Sequence, residues 1–168
     1  EAMLGSADMI LTSAIEVGIG LVGFTGLIVT LLGKNRSPTF AMAFSTLLIA
    51  SIATVMFSFL PLLLVSMSIV GEQLWIASSA AYVVYWSFIV TIRTRQSLKL
   101  NAENQTAEKE AKIYSILGAG VFLVGLLQIS NIVFFQQQWP YLCMIVYYVL
   151  LSLVSFAFLI RGVQTEEN

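Results

Sequence analysis

Five runs of about 20 or more mostly apolar residues divide this chain, and that pattern leaves few folds open to it. An α-helix rises about 1.5 Å per residue, so about 20 such residues cross a hydrocarbon layer about 30 Å thick. The runs lie at residues 9–32, 39–70, 74–92, 113–135 and 141–160. Lipid offers no hydrogen bonds to an open backbone, so each run is predicted to be a helix. The expectation is an all-α, polytopic transmembrane bundle of five spans. No linker separates independent apolar blocks, so residues 1–168 are read as a single integral membrane domain.

Composition closes the soluble route. The chain is 58% hydrophobic and 10% charged, with 8 Lys and Arg, 9 Asp and Glu, and no His. Soluble domains carry about 25% charge, and this set is too small to coat a water-facing surface. A formal net charge of −1 offers no basic surface, so no nucleic-acid partner is expected. Without His and with one Cys, Cys143, the chain lacks the ligand clusters of zinc or haem sites, and no metal or cofactor is expected. Gly18-x-Gly20-x-x-Gly23 imitates a dinucleotide fingerprint, but it lies inside a span rather than after a strand. No catalytic residues are assigned, and the chain is read as not an enzyme.

Charge also orients the spans. Lys34 and Arg36 follow the first span, Arg93, Arg95, Lys99, Lys109 and Lys112 lie between the third and fourth, and Arg161 follows the fifth. All fall on one side, whereas Glu1, Asp8 and Glu72 fall on the other. Basic loops are retained in the cytoplasm, which predicts the N-terminus outside and the C-terminus inside. Trp75, Trp139 and Tyr141 then sit at the outer ends of spans, where amphipathic rings collect at headgroup level. The polar segment 93–112 carries five bases against Glu103, Glu108 and Glu110, so 5 − 3 = +2, and Glu108 and Lys112 are spaced to support a helical extension into the fourth span. The second run would measure about 48 Å as one straight helix, with Pro61 inside it as a predicted kink.

Glu16 is the most informative residue. It lies seven residues past Met9, about 10 Å along the first span, where an ionised carboxylate is costly and must face protein, water or donors, or take up a proton. Glu16, Gly20, Gly23 and Leu27 share one helix face, and small residues there permit close approach of another helix. Gly20, Gly23 and Gly26, with Gly118 and Gly125 on the fourth span, are therefore assigned as helix-packing positions. The carboxylate is expected to point into a helix–helix contact. Depth selects its companions: Gln128 and Asn131 on span four, Ser78, Ser79 and Tyr82 on span three, and Tyr147 with Tyr148 on span five. Gln128 is the preferred partner, because its amide can donate to a carboxylate or accept from a carboxyl. This polar layer is read either as a clamp that secures helix packing or as a proton or cation site.

The run Glu16-x-x-x-Gly20-x-x-Gly23-Phe24-Thr25-Gly26-Leu27-Ile28-Val29, a basic turn, and Leu60-Pro61-Leu62-Leu63 in the second span resemble small multi-span bacterial membrane proteins of no assigned activity. The resemblance covers roughly the first 65 residues and implies a bacterial inner (cytoplasmic) membrane with the same threading. From the residues themselves, the expected function is that of a non-enzymatic accessory or self-assembling subunit of a membrane complex. Its partners would be membrane lipids and either further copies of the chain, as a homo-oligomer, or other membrane subunits. The alternative is an oligomeric ion or proton channel, or a small transporter, that uses Glu16.

Overall fold

A computed structural model describes residues 6–32, 38–100 and 108–166. The protein is all-helical: α1 (Ser6–Leu32), α2 (Pro38–Ser66), α3 (Glu72–Leu100), α4 (Glu108–Ser130), a π-helical turn (Asn131–Phe135) and α5 (Gln138–Glu166). No strand occurs among the described residues. All 5 α-helices are long and apolar enough to cross a membrane, over Ala7–Ile28, Ala43–Ser66, Glu72–Thr91, Ile116–Phe135 and Gln138–Ile160. The extension expected at Glu108 is the first turn of α4. Lys34 and Arg36 lie outside the described residues, as do the side chains of the other six basic residues.

The second span is shorter than its apolar run. α2 stops at Ser66, although the chain stays apolar to Val70, because Ser68 turns left-handed at φ 65°. The Ser68 N–H donates to the Val65 carbonyl at 2.9 Å and the Ile69 N–H to the Leu64 carbonyl at 3.0 Å. These two bonds form a Schellman motif, with Ser where Gly is usual. Pro61 is buried within α2 and cannot donate to the carbonyl four residues back.

The helices group into two compact units, one formed by residues 1–70 with 142–168 and the other by residues 71–141. In the first unit, α1 packs on α2 through small residues. The buried side of α1 carries Ala7, Leu11, Ala14, Gly18 and Thr25, and that of α2 carries Phe40, Ala43, Leu47, Ala50, Thr54 and Phe57, at helical spacing. Gly18 marks the closest approach, since a Cβ there would lie 2.7 Å from Val55 Cγ2 and 3.1 Å from the Ser51 carbonyl oxygen. Three buried hydroxyls bond within their own helix: Thr25 to the Leu21 carbonyl, Thr54 to that of Ala50 at 2.9 Å, and Ser152 to that of Tyr148 at 2.9 Å. Phe24 of α1 meets Phe156 of α5 edge-on, with ring centroids 5.3 Å apart.

In the second unit, α3 packs against α4 and its π-helical turn. Trp86 lies over Gly125 and against Phe122, with ring centroids 5.7 Å apart. Trp75 and Tyr141, each three residues into its span, are buried, and their rings are 5.8 Å apart. Trp139 is exposed and packed edge-on to Phe135 at 5.1 Å.

Candidate functional site

The polar residues selected by depth are divided between the two units. On the second unit, Ser79, Gln128 and Asn131 are each 0% exposed and form one connected network. Asn131 Nδ2 donates to Ser79 Oγ at 2.9 Å, Ser79 Oγ donates to Gln128 Oε1 at 2.9 Å, and Gln128 Nε2 donates to the Pro140 carbonyl at 2.7 Å. The bonds run in one direction, so each polarises the next.

The same Asn131 closes the turn that follows. Its Nδ2 also donates to the Gln137 carbonyl at 3.1 Å, while its Oδ1 accepts from the Gln137 N–H at 3.0 Å. Its own carbonyl accepts from the Gln136 N–H at 2.8 Å, five residues on, and Gln136 is left-handed at φ 53°. The wide π-helical turn therefore leads into a sharp reversal whose exposed amides would otherwise lack partners at the end of a span. Pro140 sits in the first turn of α5, where a missing N–H costs no helical bond. The sequence singles out Gln128 and Asn131, but their partners at Gln137 and Pro140 are backbone atoms, which side-chain inventory does not register. Pro140 just inside a span was the available signal.

Ser78 is buried beside Ser79 and lies in range of the Tyr141 side chain. Tyr82 is fully buried, with its ring centroid 6.5 Å from that of Tyr85. Tyr147 is half-buried and edge-on to Tyr148 at 6.3 Å. Every group in the Ser79–Gln128–Asn131 network is neutral, and each side chain bonds to another of the three or to backbone. Such a set holds helices and a turn in register.

Glu16 belongs to the first unit, where it is exposed on α1. α1 turns its alanines and Gly18 to α2, and the side carrying Glu16 faces away. Glu16 is nine residues into the span that begins at Ala7, a depth of about 14 Å. It makes no hydrogen bond or ion pair among the described residues. The glycines assigned to packing divide in the same way. A Cβ on Gly20, Gly23, Gly26 or Gly118 meets nothing within 4 Å among the described residues. Gly125 does pack closely, as does Gly18, which lies on the opposite side of α1 from Glu16.

No family model, curated protein or solved structure matches the chain. Geometry is therefore the basis for function.

Beside Glu16 runs an apolar groove of about 360 Å³ between α1 and α5, walled by Met9, Ser13 and Val17 on one side and Val146, Val149 and Leu150 on the other. Met9 and Ser13, at the edge of the groove wall, precede Glu16 by seven and three residues, and Glu16 itself does not line the groove. Among the described residues no group of three or more His, Cys, Asp or Glu is placed to hold a metal. The site thus consists of an acid without a partner among the described residues, an open glycine face on the same helix, and a neighbouring groove between α1 and α5.

Proposed function

We propose that this chain is a non-enzymatic subunit of a membrane assembly, built to receive another transmembrane helix along the Glu16–Gly20–Gly23 face of α1. One observation carries the reading: a carboxylate about 14 Å inside a span has no partner among the described residues. Lipid tails cannot solvate that group, and intramembrane acids ordinarily face protein or water. The glycines on the same face lower the helix surface, which strengthens van der Waals contact where no hydrophobic drive exists between helices. The charge pattern and the first-span resemblance support a bacterial inner membrane with the N-terminus outside. The channel reading loses support because Gln128 and Asn131, its supposed helpers, are committed to Ser79, Gln137 and Pro140.

The test compares wild type with Gly23→Leu, solubilised in mild detergent from the native membrane and sized by native mass spectrometry. Wild type is expected to run well above its 18.4 kDa, whereas Gly23→Leu releases it at that mass with unchanged thermal unfolding. A wild-type chain already monomeric, or an assembly indifferent to Gly23→Leu, overturns the proposal.

A further inference from the structure

The proposed assembly raises a sharper question, namely what the approaching helix must carry. Resting on that reading, we infer that the occupant of this face is a helix of a different membrane protein bearing a Lys or Arg level with Glu16. The argument is one of charge complementarity. All eight Lys and Arg of this chain lie outside its five spans, so a second copy would bring the same acid to the contact and no base to meet it. A lipid headgroup amine is no substitute, because it lies about 14 Å away at the span end. A helix with one base at matching depth satisfies both charges at once. Arg would do so with two parallel hydrogen bonds and Lys with one compact charge.

The surroundings of Glu16 fit such a partner. One and two turns further along the same face, Gly20 and Gly23 leave space in which a Cβ meets nothing within 4 Å. A helix crossing there can bring its backbone close, and its base then has only a short distance to reach. The α1–α5 groove of about 360 Å³ lies beside this path, open along the side of α1 that holds Met9 and Ser13. Apolar side chains flanking the base would enter it. This gives the contact a recognition element independent of charge, with Ser13 as the polar group in its wall.

The experiment uses the full chain in phosphatidylcholine vesicles with synthetic leucine–alanine transmembrane peptides. One peptide carries a single Lys about nine residues from the end that matches the α1 N-terminus, a second carries Leu there, and a third carries the Lys displaced by seven residues. Association is read by energy transfer between dye-labelled protein and dye-labelled peptide. The matched Lys peptide is expected to bind at least about tenfold more tightly than the other two. Glu16→Gln, which keeps shape and exposure, abolishes that preference, and Gly23→Leu weakens binding of every peptide. Equal binding of Lys and Leu peptides, or a preference that survives Glu16→Gln, overturns the inference. Donor- and acceptor-labelled copies of the protein alone are measured in parallel. Self-association lost in Glu16→Gln identifies a second copy as the occupant, which overturns this inference while leaving the assembly proposal standing. No peptide preference, no self-association and no effect of Gly23→Leu overturn both.

Discussion

Gly125 lies directly beneath the indole of Trp86, so close that a Cβ on the glycine would fall 2.3 Å from Cε2 and 2.7 Å from Cδ2. The ring therefore rests on the backbone of α4, and α3 and α4 approach to a distance that only a residue without a side chain allows. Gly125→Ala is expected to destabilise the protein by about 1–3 kcal/mol, the usual cost of forcing extra carbon into a packed site. Trp86→Leu in the same background should recover much of the loss. A double-mutant cycle on detergent-induced unfolding measures the coupling, and additive effects would show that the ring and the glycine do not meet.

Two glycines of α1 make opposite predictions. Gly18→Ala places its methyl 2.7 Å from Val55 Cγ2 and 3.1 Å from the Ser51 carbonyl, with backbone on one side that cannot yield. A loss of about 1–3 kcal/mol is expected. Gly23→Ala meets nothing within 4 Å and should leave unfolding unchanged or raise stability by a few tenths of a kcal/mol through helix propensity. Thermal unfolding of the two variants decides the matter; a similar loss in both would show α1 to be packed on the Glu16 side as well.

Asn131→Ala removes the group that satisfies both the N–H and the carbonyl of Gln137 and also donates to Ser79. Buried polar groups left without partners cost about 1–3 kcal/mol, and Ser79→Ala, which takes the partner from Gln128 Oε1 and from one Asn131 N–H, should lose a comparable amount. Hydrogen exchange at the Gln137 amide gives the local readout. Protection there should fall in Asn131→Ala and persist in Ser79→Ala.

Ser68→Gly should stabilise the end of α2 by up to about 1 kcal/mol, since Ser68 holds a left-handed conformation that glycine adopts without a Cβ penalty. Ser68→Val should destabilise by a similar or larger amount, because β-branched residues resist positive φ. Equal unfolding midpoints for the two variants would contradict the assigned turn.

The spans themselves were legible because a bilayer of known thickness converts apolar length directly into crossing helices. Their ends were less so. The apolar run to Val70 hides a helix that stops at Ser66, because Ser68 carries none of the usual Gly signal for a left-handed cap. The buried amides of Gln128 and Asn131 stood out as polar groups inside apolar runs, and the structure gathers them with Ser79. What could not be read was their direction: both were matched by depth to Glu16, whereas their bonds go to Ser79 and to backbone at Gln137 and Pro140. Side-chain chemistry indicates which groups need partners, but a backbone carbonyl at the start of α5 becomes an available partner only when the chain turns back there.

Apolar length and the scarcity of charge, both written in the chain, dictated five helices and placed an acid inside the first of them. Which side of each helix meets a neighbour was decided by tertiary packing alone. The reason is physical: lipid tails are as apolar as leucine, so a membrane helix needs no hydrophobic stripe to mark its protein-facing side. The small-residue face built around Gly18 won the contact with α2, and Glu16, on the other side of the same helix, has no partner among the described residues.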